Sequence, residues 1–191
     1  MTTLDDPMGY IDPKDVSPRS TAMRYGMIWG LLGILLGLIS YLAGWTEPTS
    51  SMSAGSILST VLSFGLAIGI LVLTIKHHRD EELGGYISFG RGFQTGMLTT
   101  FFYAIIATIW MFIFINFVDT DMIENIQASM VEQWEEQGLS DEQIEQAQSY
   151  TGFMSSKGFM IGAAFGGSLL WGAILSLIIS AVMKKDNPQT A

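Results

Sequence analysis

The chain has no cysteine. That excludes disulfides, thiolate nucleophiles and cysteine-ligated metal centres, and leaves the compartment open. Charge is also scarce. Asp, Glu, Lys and Arg make up 14% of the 191 residues, against about 25% in a typical soluble domain. Basic residues number nine against eighteen acids, for a net charge of −9. Binding a phosphate backbone needs a basic patch, so nucleic acid is excluded as a partner class. Histidine occurs twice, as the neighbours His77 and His78. Neighbours on a helix project about 100° apart and chelate one ion poorly. No D-x-[DN]-x-[DN]-G loop gathers the acids for calcium, and no Walker A or H-E-x-x-H pattern occurs. No catalytic residue, metal site or cofactor site is expected.

What the chain does have is apolar length. Four runs, at about 22–42, 54–75, 96–117 and 159–183, are almost free of charge. At ~1.5 Å per residue, eighteen or more such residues cross a hydrocarbon core of ~30 Å. A soluble domain would show broken apolar stripes instead. The sequence therefore specifies an all-α polytopic membrane protein of four transmembrane helices, spanning residues 22–185. Residues 1–21 precede it as a flexible segment with Pro7, Pro13 and Pro18, and 186–191 follow as a tail. The first run is longer than the roughly 7–15 residues of a signal-peptide core and no A-x-A site follows it, so it reads as an uncleaved span.

Orientation follows from the basic residues. Lys14, Arg19 and Arg24 precede or enter the first run; Lys76, Arg79 and Arg91 lie between the second and third; Lys184 and Lys185 follow the fourth. With four spans these groups share one side, and Lys157 alone falls on the other. The positive-inside rule then makes both termini and the central loop cytoplasmic. Residues 118–158 face outward. They carry Asp119, Asp121, Glu124, Glu132, Glu135, Glu136, Asp141, Glu142 and Glu145.

Glycine recurs at helical spacing: Gly26, Gly30, Gly33 and Gly37 in the first span, Gly65 and Gly69 in the second, Gly158, Gly162 and Gly166 in the fourth. In lipid, small residues let helix backbones approach, so these are candidate packing ridges within the bundle, or between copies. The third span is bulky and aromatic, without internal glycine. Trp29, Trp45, Tyr25, Tyr41 and Tyr86 fall near span ends, as interfacial aromatics do. Span hydroxyls such as Ser59, Ser63, Thr100, Thr108, Ser168 and Ser176 are expected to bond helix carbonyls or neighbouring helices.

The long outer loop reads as an extracytoplasmic helical hairpin over 119–150. Ile123, Ile126, Met130 and Trp134 recur at steps of three and four and make one apolar face. Asp119 or Thr120 is placed to cap its start, and Gly138 to follow its end. Ser140 with Gln143 forms a capping box, and Leu139 with Ile144 a hydrophobic staple, for a second helix at about 141–150. The apolar face, with Glu135 and Glu142, is a candidate partner surface. It competes with a plain solvated helix pair.

In the central segment, Gly84-Gly85 marks a turn and Ser88 is placed to cap a helix beginning at Phe89. Phe89, Arg91 and Phe93 suit the membrane interface. His77 and His78 read as ordinary interfacial histidines, with a pH-responsive role as the alternative. No acid–base pair stands out at a defined helical spacing.

Four spans, the central GGYISFGRGFQTG at 84–96 and the loop sequence EEQGLSDEQIEQA at 135–147 resemble the bacterial membrane-protein family catalogued as domain of unknown function 4199, over roughly residues 20–185. The resemblance implies the four-span architecture and, because that family is mostly found in Bacteroidetes-type bacteria, an inner-membrane location. It implies no activity and no site residues.

Buried ionisable residues usually mark ion and proton pathways. Their absence from the span interiors points away from coupled transport. The function expected is a non-enzymatic accessory or scaffold component, bound to lipid and to a membrane or extracytoplasmic partner or a second copy. A small channel or carrier for a neutral or lipid-like solute is the alternative. A lipid-modifying enzyme using His77, His78 or the 80–82 acids is the third reading.

Overall fold

The structure is a computed structural model that describes residues 15–45 and 53–186. Most of the N-terminal segment expected from the sequence (1–14) and most of the tail (187–191) lie outside the described residues. Among the described residues six α-helices follow one another: α1 (Arg19–Leu42), α2 (Ala54–His77), α3 (Phe89–Ile113), α4 (Met122–Glu136), α5 (Asp141–Thr151) and α6 (Lys157–Met183). α2 and α3 each run on into a five-residue π-helical turn, His78–Glu82 and Phe114–Val118. No strand occurs among the described residues beyond one isolated bridge between Ile87 and Lys185.

α1, α2, α3 and α6 are long and apolar enough to cross a membrane. At 24–27 residues and ~1.5 Å per residue they exceed a ~30 Å hydrocarbon core. Their outward faces are apolar: Leu31, Leu35, Val61, Leu170 and Val182 are all more than half exposed. A soluble protein would bury such residues; a helix solvated by lipid tails leaves them outside. Alongside an apolar cluster, these helices hide many hydroxyl-bearing residues. Thr21, Ser40, Thr74, Thr95, Thr99, Thr100, Ser176 and Ser180 are buried. Several donate to the carbonyl four residues back, as Thr74 does to Ile70 (2.7 Å), Thr99 to Thr95 (2.8 Å) and Thr100 to Gly96 (3.0 Å). That consumes the hydroxyl hydrogen within its own helix. Ser59 meets Ser40 across two helices at 2.9 Å, while Thr108 and Ser176 Oγ have no hydrogen-bonding partner among the described residues.

The chain forms two compact units. The first is Met1–Trp29, Leu66–Tyr103 and Leu169–Ala191. It brings together Arg19, Arg24, Lys76, Arg79, Arg91, Lys184 and Lys185, the basic residues that alternation of four spans assigns to one side. Its apolar cluster is Trp29, Ala67, Ile70, Leu71, Ile75, Leu83, Ile87 and Ile179. Trp29 stacks on Tyr103, ring centres 4.0 Å apart and planes 14° from parallel. The expectation of an interfacial Trp29 is thus corrected: it is a core residue, 6% exposed.

Within this unit α3 and α6 meet along a seam of small residues. A Cβ on Gly92 would lie 3.2 Å from that of Ser180; on Gly96, 2.8 Å from that of Ser176; on Gly172, 2.7 Å from that of Thr100. The partners run in opposite order at steps of four, so this is an antiparallel small-xxx-small contact. α1 uses Gly26 in the same way, its missing Cβ 2.6 Å from the Thr99 carbonyl oxygen. The third helix therefore does carry contact glycines. They sit in the turns where α3 begins, ahead of its aromatic run.

The second unit is Gly30–Gly65 and Ala104–Ser168. Here Gly30 abuts Ile106 and Tyr41 packs edge-on against Phe114 at 5.1 Å. α1 ends in a Schellman motif: Trp45 N–H bonds the Ser40 carbonyl, Gly44 N–H bonds that of Tyr41, and Gly44 takes φ +70°. α4 ends in the same motif at Gly138, φ +80°, as its position past the apolar face requires. The capping box of α5 is present, with Gln143 N–H donating to Ser140 Oγ and Ser140 N–H to Gln143 Oε1. Ile144 is buried beneath it. The start of α4 differs from expectation. Neither Asp119 nor Thr120 caps it: the helix begins at Met122 after Asp121, with no side-chain cap. Asp119 belongs instead to the end of the π turn Phe114–Val118, its N–H bonding the Phe114 carbonyl five residues back.

Candidate functional site

Two places carry unusual chemistry, one in each unit. In the first unit α2 leaves its regular hydrogen bonding at His78. Leu83 N–H bonds the His78 carbonyl five residues back, and Gly84 and Gly85 follow at φ +66° and +92°. π turns of this kind are frequent at functional sites. This one carries His78, whose side chain is completely buried, and Glu82, one turn on. His78 Nδ1 bonds Glu82 Oε2, and Thr21 Oγ1 of α1 donates to Glu82 Oε1. An ionised carboxylate only accepts, so Nδ1 carries the hydrogen, and in the neutral ring Nε2 keeps its lone pair. Nε2 has no hydrogen-bonding partner among the described residues.

Two sequence expectations are corrected here. His78 is buried, not interfacial, and an acid–base pair does exist at a defined helical spacing, four residues apart. His77 is half-buried, its ring 5.7 Å from that of Tyr25. Glu82 ties the end of the second long helix to the start of the first. Beside it Arg91 donates to the Val16 carbonyl and, at 3.0 Å, to Gln94. Arg91 thereby holds the segment before α1 as well as sitting at a helix start. Ser88 Oγ accepts from Arg91 N–H at 3.3 Å and starts α3 as expected. Phe89 and Phe93 stack at 6.5 Å, 8° from parallel. Arg79 pairs with Asp80 (2.7 Å) and reaches the Met183 carbonyl (3.3 Å). Ile87 and Lys185 exchange both backbone hydrogen bonds, 3.0 and 2.9 Å, while Lys185 lies over the Tyr86 ring at 5.0 Å.

In the second unit α4 and α5 flank a half-open cavity of about 230 Å³. It is lined by Gln127, Met130 and Trp134 from α4, and by Gln148, Thr151, Gly152 and Ser155 from the end of α5 and the turn beyond. Two residues of the apolar face seen in the sequence, Met130 and Trp134, thus form one wall. Ile123 and Ile126 are half-buried on the same helix, while Glu135 and Glu142 are exposed and do not line the cavity.

The glycines divide sharply. Gly26 and Gly30 meet α3 closely, and Gly33 is half-buried. Gly37, Gly65, Gly69, Gly158, Gly162 and Gly166 have no atom within 4 Å of where a Cβ would sit. The intrachain contact falls to Gly92, Gly96 and Gly172 instead. Among the described residues no group of three or more His, Asp or Glu is placed to hold a metal ion.

A family model described as protein of unknown function (DUF4199) matches residues 24–185. The chain belongs to this family. Comparison with curated proteins and with solved structures returns no match. Membership of DUF4199 thus covers both places just described, the His78–Glu82 pair and the α4–α5 cavity. With the four spanning-length helices, it makes this a multi-pass membrane protein of unknown biochemical function.

Proposed function

We propose that the protein is a non-enzymatic accessory or scaffold component of a bacterial inner membrane, with cytoplasmic termini. In this reading it holds a transmembrane helix of a partner protein against the fourth span. The observation that carries it is the open ridge of Gly158, Gly162 and Gly166. These residues lie one turn apart, are exposed, and have empty space where a side chain would be. Close backbone approach is what such a ridge is suited to in lipid, and this chain meets its own packing needs with other small residues. The occupant is therefore an apolar helix with a bulky or small-residue face, supplied in trans. The acidic pair α4–α5 adjoins the start of α6 in sequence and offers a polar flank to the same partner.

The His78–Glu82 pair lends some chemistry to the enzymatic reading, since an imidazole oriented by a carboxylate is a familiar general base. The imidazole is completely buried while Glu82 is partly exposed, which argues against contact of the ring with a lipid substrate, so the pair serves as a staple between helices. In the first unit the buried hydroxyls of Thr74, Thr95, Thr99 and Thr100 are bonded back into their own helices and Ser176 and Ser180 are pressed against Gly96 and Gly92, which gives little support to a wet path for a solute.

Co-purification in mild detergent tests the proposal. The unmodified chain is expected to bring down a membrane protein in fixed stoichiometry, and Gly162→Leu to lose it while retaining the melting temperature. A lone monomer from the unmodified chain, or a partner retained by Gly162→Leu, overturns the reading; a second copy of the chain as sole companion replaces the partner with a homodimer.

A further inference from the structure

The cavity between α4 and α5 is built from uncharged groups in the most highly charged part of the chain. Nine carboxylates lie between Asp119 and Glu145, yet none lines it. Its lining offers two kinds of contact. Met130 and Trp134 give an apolar wall; Gln127, Gln148, Thr151 and Ser155 give the polar one. The hydroxyls of Thr151 and Ser155 donate to the carbonyls of Ala147 (2.9 Å) and Thr151 (3.2 Å), so toward the cavity they act as acceptors. The carboxamides of Gln127 and Gln148 each supply both a donor and an acceptor.

Charge argues for a neutral ligand. An anion would be repelled by the surrounding carboxylates, and a cation would find no carboxylate inside to pair with. An apolar ligand would leave two carboxamides facing it unbonded, a desolvation cost without return. A neutral molecule with one C–H-rich face and a rim of hydroxyls satisfies both walls. At about 230 Å³ the cavity is smaller than the ~300–1,000 Å³ of drug-sized sites, which limits the occupant to about one sugar ring.

We propose that this cavity binds a single neutral monosaccharide unit, its apolar face on Trp134 and its hydroxyls on Gln127, Gln148, Thr151 and Ser155. The unit is either a free sugar or the terminal residue of a glycan, since both present the same ring.

The test uses the full chain in detergent micelles and saturation-transfer NMR. The probes are glucose, galactose, mannose and N-acetylglucosamine, each as the free sugar and as the methyl glycoside. Glucuronate and glucosamine serve as charged counterparts. At least one neutral ring is expected to receive saturation, most strongly at the C–H protons of one face. Trp134→Ala should abolish the signal. Gln148→Ala and Gln127→Ala, both on exposed positions that leave the fold intact, should each weaken binding by about tenfold. Gln146→Ala, beside the cavity in sequence but outside its lining, should change nothing. Binding of the methyl glycoside supports a glycan end; binding of the free sugar alone supports a free one. Absence of signal from every neutral ring overturns the proposal. So does a signal that survives both glutamine substitutions, or a charged ring that binds as tightly as its neutral counterpart.

Discussion

Replacing Gly96 with alanine should open the seam between α3 and α6. The added Cβ would lie 2.5 Å from Ser176 Oγ and 2.8 Å from Ser176 Cβ. Rotation of the serine side chain relieves the first contact and leaves the second, so the helices must part. Overpacking of this sort costs ~1–3 kcal/mol, and the better helix propensity of alanine returns ~1 kcal/mol. The net expectation is a loss of about 1 kcal/mol, which for a chain of this size lowers the melting temperature by ~2–4 °C. The neighbouring positions set a scale. A Cβ on Gly92 would lie 3.2 Å from Ser180 Cβ, and one on Gly172 only 2.1 Å from Thr100 Cγ2. Gly172→Ala should therefore be worst, Gly96→Ala intermediate and Gly92→Ala near neutral. Thermal unfolding in a fixed detergent, read by tryptophan fluorescence, gives the order. Ser176→Gly removes both offending atoms, so the double variant Gly96→Ala/Ser176→Gly should recover most of the loss of Gly96→Ala. Equal stability of the three alanine variants, or no recovery in the double variant, would refute the seam.

Three further outcomes follow from other contacts. Glu82→Ala takes away the acceptor of both His78 Nδ1–H and Thr21 Oγ1–H, and a buried donor left unpaired should cost ~1–3 kcal/mol; His77→Gln should cost far less in the same melt. In the His77→Gln chain His78 is the sole histidine, so nitrogen NMR should find its neutral form protonated at Nδ1; an Nε2-protonated ring would remove the Glu82 contact. Ser140→Ala breaks the capping box of α5 and should cost ~1 kcal/mol, seen as faster amide exchange confined to Asp141–Thr151, with the spanning helices unchanged.

The spans and their order were legible because uncharged apolar length is a one-dimensional signal. The capping box at Ser140 and the turn glycine at Gly138 were legible for a similar reason, since their geometry depends on residues at most five apart. The α3–α6 seam was hidden. Its members are glycine, serine and threonine mixed, and only the register of two distant helices makes Gly96 and Ser176 partners. Conversely, the ridge at Gly158, Gly162 and Gly166 was visible as a pattern, but the pattern does not say whether the facing helix belongs to the same chain. His78 and Glu82 stand four apart in the sequence, but so do His77 and Glu81, and burial by α1 through Thr21 has no local sign. Of the cavity, Met130 and Trp134 were marked by periodicity. Gln148, Thr151 and Ser155 were not, since polar residues on a polar helix carry no signal until a second helix faces them.

One set of small residues packs the helices of this chain together, and a second, the ridge on α6, is left open for another molecule. A photoreactive residue introduced at Gly162, illuminated in native membranes, tests this most directly, with the same residue at Leu31 as a lipid-facing control. The account predicts a discrete adduct of higher mass from position 162 and none from position 31. Position 162 yielding nothing beyond the control would contradict it.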